Sequence, residues 1–191
     1  MINTKFPHLT NRYGFTLIEL VVAFSIMAVL STIGVAAFLN YTRGQSLQQA
    51  TNDLTSTLNT AKADAVSQIK PNDPNCLPLT QEEKMLSGYR VILSKMTTPN
   101  SYTLYAVCNG VNVPVPPPPA TATIPLPKGV SFDSSTFVSP ATTMTITFFV
   151  LTGGVASNGV VDATGNTTIV LDGYTGTTPK TITVTSGGLI E

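Results

Sequence analysis

Histidine is nearly missing from this chain: His8 is the only one, and it stands ahead of the first hydrophobic run. Without an imidazole in the body of the protein, the general-base and metal-ligand roles that histidine fills are closed to it. Cysteine is down to two residues, Cys76 and Cys108, which cannot assemble a Cys/His metal cluster. No glycine-rich loop has the spacing that cradles phosphate. This inventory argues against an enzyme, and it calls for no cofactor and no metal. Charge is scarce too: Asp, Glu, Lys and Arg make up 10% of the residues and balance to zero, so no long-range field draws the protein to nucleic acid or acidic lipid.

Proline is absent between Pro7 and Pro71, so a helix from Phe15 to about Ile69 meets none of the residue that would most disrupt it. Its first part is apolar. Phe15 to Leu39 holds 25 residues with a single charge, Glu19. At ~1.5 Å per residue this run spans about 37 Å, enough to cross a bilayer core with some tilt. Residues 1–14 carry Lys5, His8 and Arg12 and no acid, which keeps this end cytoplasmic by the positive-inside rule and exports the rest. An ordinary signal peptide cut near Val35-Ala36-Ala37 is the competing reading, but its apolar region would be over-long and would carry Glu19 near its start.

A carboxylate in hydrocarbon costs roughly 2.5–3.5 kcal/mol on insertion scales, so Glu19 needs a physical reason. One is position: it lies near the start of the helix, close enough to the interface to be solvated or protonated. The other is pairing. A cut after Gly14 would free an ammonium at Phe15, which Glu19 of a neighbouring subunit could neutralise, setting register within an assembly.

Gly14-Phe15-Thr16-Leu17-Ile18-Glu19, behind a short basic leader, resembles the prepilin signal of type IV pilins and type II secretion pseudopilins. A glycine precedes the cut, Phe becomes the first residue, Glu becomes the fifth, and an apolar helix follows directly. The resemblance is strong through the first part of the helix and loose beyond it. It implies an α+β, type IV pilin-like fold, in which a long N-terminal helix packs on an antiparallel β-sheet head. It also implies cleavage between Gly14 and Phe15 by prepilin peptidase and N-methylation of Phe15. Assembly with other pilin or pseudopilin subunits would proceed from membrane lipid, through an inner-membrane assembly platform, into a periplasmic or cell-surface filament. Pilins commonly carry a proline within the anchor; this chain has Gly34 and Gly44 instead, each a weak point of about 1 kcal/mol relative to alanine.

The expected organisation is therefore a leader at 1–14, a transmembrane half-helix at 15–39, an amphipathic half at 40–70 and a β-rich head at 71–191. Within 40–70, Leu47, Ala50, Leu54, Leu58, Ala61, Ala65 and Ile69 recur at helical spacing and form one apolar face. That stripe could pack on a sheet or seam a coiled coil, and its three alanines favour the sheet. Pro71 is expected to end the helix. Tyr89–Leu93 and Tyr102–Cys108 read as a hairpin with Thr98-Pro99-Asn100 at its turn. Thr143–Leu151, Thr167–Leu171 and Lys180–Thr185 read as further strands, the last two antiparallel. Residues 113–127 hold seven of the fourteen prolines and cannot be a central strand; a polyproline-like exposed loop is expected there.

Exported into an oxidising space, Cys76 and Cys108 are expected to form a disulfide rather than stay free thiols. Asn158–Asn166 contains oxygen ligands for Ca²⁺, but its spacing is not that of an EF-hand and such loops are usually turns. The order of parts is similar to minor pseudopilins of the GspH/FimT type, some of which bind DNA near the C-terminus. Here Ser186–Glu191 has no Lys or Arg, so DNA is not expected as a partner. Three functional readings follow: a filament subunit that works by polymerising, a binding module at a pilus tip for DNA or adhesion, and a single-pass anchored domain that never polymerises.

Overall fold

A computed structural model describes residues 14–76, 86–115 and 123–191. Residues 1–13 of the expected leader and 116–122 of the proline-rich stretch lie outside them. Among the described residues one 50-residue helix, α1 (Leu17–Val66), is followed by nine strands. It is continuous through positions 34 to 44, as the absence of proline allows. The chain divides into two compact units between Tyr41 and Thr42, so α1 contributes its first half to one and its second half to the other.

In the second unit, α1 buries Leu47, Ala50, Leu54, Leu58, Ala61 and Ala65 against the sheet core. The three leucines alone are worth roughly 2 kcal/mol each on burial, and the alanines let the helix approach the strands closely. The stripe stops one residue early. Ile69 is 53% exposed, because the helix ends before Pro71 is reached. Ile69 N–H donates to the Asp64 carbonyl (3.1 Å) and Gln68 N–H to the Ala65 carbonyl (3.3 Å), with Gln68 in the left-handed region at φ 52. This is a Schellman closure with glutamine where glycine is usual. The Tyr89 hydroxyl then donates to the Ile69 carbonyl at 2.6 Å. Burial, helped by the Asp64 carboxylate, pushes that phenol up to about 12, so it remains a donor throughout the neutral range. Gln68→Gly should relieve the left-handed strain and raise stability by about 0.5–1 kcal/mol in urea unfolding.

The larger sheet runs in the order β3 (Val111–Pro114), β2 (Ser101–Cys108), β1 (Leu86–Ser94), β6 (Thr143–Phe149), β7 (Val155–Ser157), with β4 (Thr123–Pro125) also on β2. All these pairs are antiparallel. The expected β1–β2 hairpin is present, but the neighbour of β1 on its other side is β6, with Val91 opposite Ile146. Tyr89, Val91 and Leu93 alternate inward toward α1, as a half-buried antiparallel strand requires. At Gly88 an added Cβ would collide with the Phe148 carbonyl of β6, so the close β1–β6 approach there demands glycine. On the outer face the Arg90 guanidinium lies across the sheet, donating from Nε to Thr147 Oγ1 (3.0 Å) and from Nη1 to Asn112 Oδ1 (3.1 Å).

The smaller sheet is β5 (Ser131–Phe132), β8 (Thr167–Asp172), β9 (Lys180–Val184), again antiparallel. Thr167, Ile169 and Leu171 face in. The two sheets are joined where Val155 N–H donates to the Ser186 carbonyl (3.1 Å). The proline-rich stretch differs from the expected loop at its flanks: Val111–Pro114 and Thr123–Pro125 both pair with β2 as edge strands. Proline is tolerated there because an edge strand has one side free of ladder bonds.

Candidate assembly site at the helix start

Thr16 opens α1. Its carbonyl accepts the Leu20 N–H (3.2 Å) and its hydroxyl accepts the Glu19 N–H (3.3 Å). Thr16 is thus the N-cap and Glu19 the third helical residue, half of a capping box. The Thr-x-x-Glu spacing is readable in the sequence, but the charge of Glu19 suggested interfacial solvation or pairing and not a cap. Its carboxylate also lies in the first turn, where the positive end of the helix dipole favours an anion.

Glu19 shares one helix face with Phe15, Leu20, Ala23, Phe24 and Met27, which line a shallow apolar groove. Phe15 is 82% exposed. So are large apolar side chains all along the first unit, from Leu17 and Ile18 to Phe38, Leu39 and Tyr41. A contiguous apolar surface of this length is unlike that of a soluble monomer. Three of its hydroxyls are tied to the helix backbone. The hydroxyls of Ser25, Ser31 and Thr32 donate to the carbonyls of Val21, Met27 and Val29 at 2.8, 2.7 and 2.8 Å, so hydrocarbon around the helix would leave these hydroxyls satisfied. By length and composition the stretch can cross a membrane. Glu19 is its one formal charge.

The other singled-out residues lie in the second unit. Cys76 and Cys108 are joined by a disulfide with Cα atoms 5.2 Å apart, tying the segment after α1 to the end of β2. The Asn158–Asn166 loop closes on itself. Asp162 Oδ1 accepts from the Thr164 N–H (2.8 Å), the Thr164 hydroxyl (2.6 Å) and the Asn166 N–H (2.9 Å), while Oδ2 accepts from Asn166 Nδ2 (3.2 Å). These bonds, led by the Thr164 side chain, hold the carboxyl below its ordinary range, and the loop behaves as a turn. Among the described residues no group of three or more His, Cys, Asp or Glu could hold a metal ion.

An exposed apolar helix behind Gly-Phe-Thr-Leu-Ile-Glu, continued into an α+β head, is the arrangement that the prepilin resemblance implies. The comparison with known families agrees: residues 9–35 match the prokaryotic N-terminal methylation motif, the signal of type IV pilins and pseudopilins. No curated protein and no solved structure matches the chain.

Proposed function

We propose that this protein is a structural subunit, a minor pilin or pseudopilin, of a type IV pilus or a type II secretion pseudopilus. Prepilin peptidase cuts between Gly14 and Phe15, Phe15 is N-methylated, and the head is exported while the N-terminus faces the cytoplasm. The mature chain then leaves the lipid through the inner-membrane platform and joins other subunits by its helix. The observation that carries this reading is the match of residues 9–35 to the methylation motif on a helix whose described apolar residues are exposed from Leu17 to Tyr41. Lipid covers them before assembly and neighbouring helices cover them afterwards. Glu19 then meets the Phe15 ammonium of an adjacent subunit, which is worth far more in a dry core than in water. The long helix, the disulfide-tied exit and the late strands support a minor pseudopilin of the GspH/FimT type. The C-terminal end, without Lys or Arg, does not favour the DNA-binding version.

Mass spectrometry of the chain recovered from native membranes or sheared filaments tests the proposal. The expected mature form begins with N-methylated Phe15. Recovery with residues 1–14 attached, or cut at Ala37, overturns it.

A further inference from the structure

The second unit has two distinct ends. α1 enters it at Thr42. β1 starts beside the far end of α1, where Tyr89 bonds the Ile69 carbonyl, and by Leu93 it has run back along the helix, since Tyr102, paired with Leu93, lies beside Thr57 and Asp53. Three loops therefore gather at the end where α1 enters. In the loop between β8 and β9, Gly173 lies against the Leu47 side chain and the Tyr174 ring lies under the Arg43 guanidinium, 4.9 Å from cation to centroid. The loop between β4 and β5 backs onto that ring, because a Cβ on Gly129 would fall on it. Across a groove from Lys128 and Gly129 stand Thr98 and Pro99 of the turn between β1 and β2.

Positive charge collects on this end. Arg43 is joined there by Lys128, by Lys95 just past β1 and by Lys180 at the start of β9, opposite Leu171. The three lysines are exposed. Asp133 and Asp172 are the side-chain carboxylates at the same end, on neighbouring strands, with Lys95 in electrostatic reach of Asp172. Of the charged side chains described in the unit, four of the seven cations but only two of the seven acids lie here. The end thus has positive charge in excess and the remainder negative. Met96, next to Lys95, is 74% exposed, the most exposed large apolar side chain described in the unit.

The chain as a whole balances to zero, so no field draws it to a surface from afar. None is needed. Thr42 is bonded to the last residue of the apolar stretch, and once that stretch lies in a bilayer the bond alone keeps this end of the unit within reach of the lipid headgroups. We propose, resting on the membrane-spanning reading of the helix, that the end bearing Arg43, Lys95, Lys128 and Lys180 docks on the anionic phospholipid headgroups of the membrane that holds the anchor, with Met96 entering the interface. Cations within a Debye length of about 10 Å feel such a surface, and each Lys or Arg adds to the attraction. Lipid phosphate offers the acceptor oxygens that ammonium and guanidinium groups bind. The head is thereby held against the bilayer until the subunit leaves it.

The test places isotope-labelled full chain, one copy per disc, in lipid nanodiscs of phosphatidylcholine with or without phosphatidylglycerol. Spin labels on the headgroups read the approach of the head, and spin labels on the acyl chains read the helix. With phosphatidylglycerol, the amide signals of Met96, Gly129 and Gly176 are expected to broaden while those of the Asp162 loop stay sharp; the broadening should fall without phosphatidylglycerol and in high salt. Lys95→Gln, Lys128→Gln and Lys180→Gln, all at exposed positions, should each lower the docked-to-free ratio about fivefold. The proposal is overturned if the head signals do not broaden, if broadening ignores phosphatidylglycerol or survives all three substitutions, or if it occurs only when discs hold several copies, which would assign the patch to a second head. Where the acyl-chain labels still broaden Ile26 and Val29 in such a case, the membrane-spanning helix stands and the docking alone falls. Where they do not, both fall.

Discussion

A Glu19→Val chain is expected to insert into the membrane and be cut after Gly14 like its parent, yet to fall about a hundredfold in sheared filaments. Insertion should become easier, since the substitution removes a carboxylate that costs roughly 2.5–3.5 kcal/mol in hydrocarbon. The helix start should survive, because the hydroxyl of Thr16 caps the backbone N–H of residue 19 rather than its side chain. What is lost is the partner of the neighbouring ammonium. Removing one half of a buried ion pair costs about 3–5 kcal/mol, and ~2.7 kcal/mol already corresponds to a factor of about a hundred. Immunoblots of membrane and filament fractions, with Glu19→Asp as the charge-preserving control, give the ratio. Incorporation at the parental level would remove the pairing role from Glu19 and leave it as a residue of the first helical turn.

The second large effect is expected in the head. Replacing both Cys76 and Cys108 by alanine should lower its stability by about 3–4 kcal/mol, the chain-entropy value for a closed loop of this size. The sequence separation of 32 sets that value. Against a total of about 5–15 kcal/mol for a domain, the loss is a large fraction, and a urea midpoint measures it directly. The change should be greatest after the helix. Residues 71–76 carry short-range bonds, Asp73 N–H to the Pro71 carbonyl, Cys76 N–H to the Asp73 carbonyl and Asn75 to the Asp73 carboxylate. Amide exchange there should rise more than in β1 or β6. A double-alanine chain with the parental midpoint would show that the core alone holds the fold.

The parts legible in the sequence are those governed by local period. Leu47 to Ala65 announces a buried helical face because 3.6-residue spacing is written along one stretch of chain. Tyr89–Leu93 and Thr167–Leu171 read as strands for the same reason, at period two. Ile69 continues the pattern in the sequence but lies outside the helix, because the Schellman closure at Gln68 is decided by backbone hydrogen bonds that apolar spacing does not encode. The adjacency of β1 and β6 was hidden since their pairing joins residues 49 to 61 positions apart, and side-chain alternation names a face, not a neighbour. Ser131–Phe132 and Val155–Ser157 were too short to show a period. At the helix start, Glu19 stood out as the one charge in an apolar run and Gly14 and Phe15 through the prepilin resemblance, while the capping role of Thr16 passed unnoticed behind them.

The prolines of the β3 and β4 margin bear on how heads meet one another at high local concentration. Pro114 and Pro125 stand on the outer border of the larger sheet, where a free row of amide groups would otherwise invite a foreign strand. Lacking that N–H, each proline makes the border a poor template, so heads brought side by side stay separate bodies. A second copy meeting this border therefore finds no continuous run of donors on which to extend the sheet.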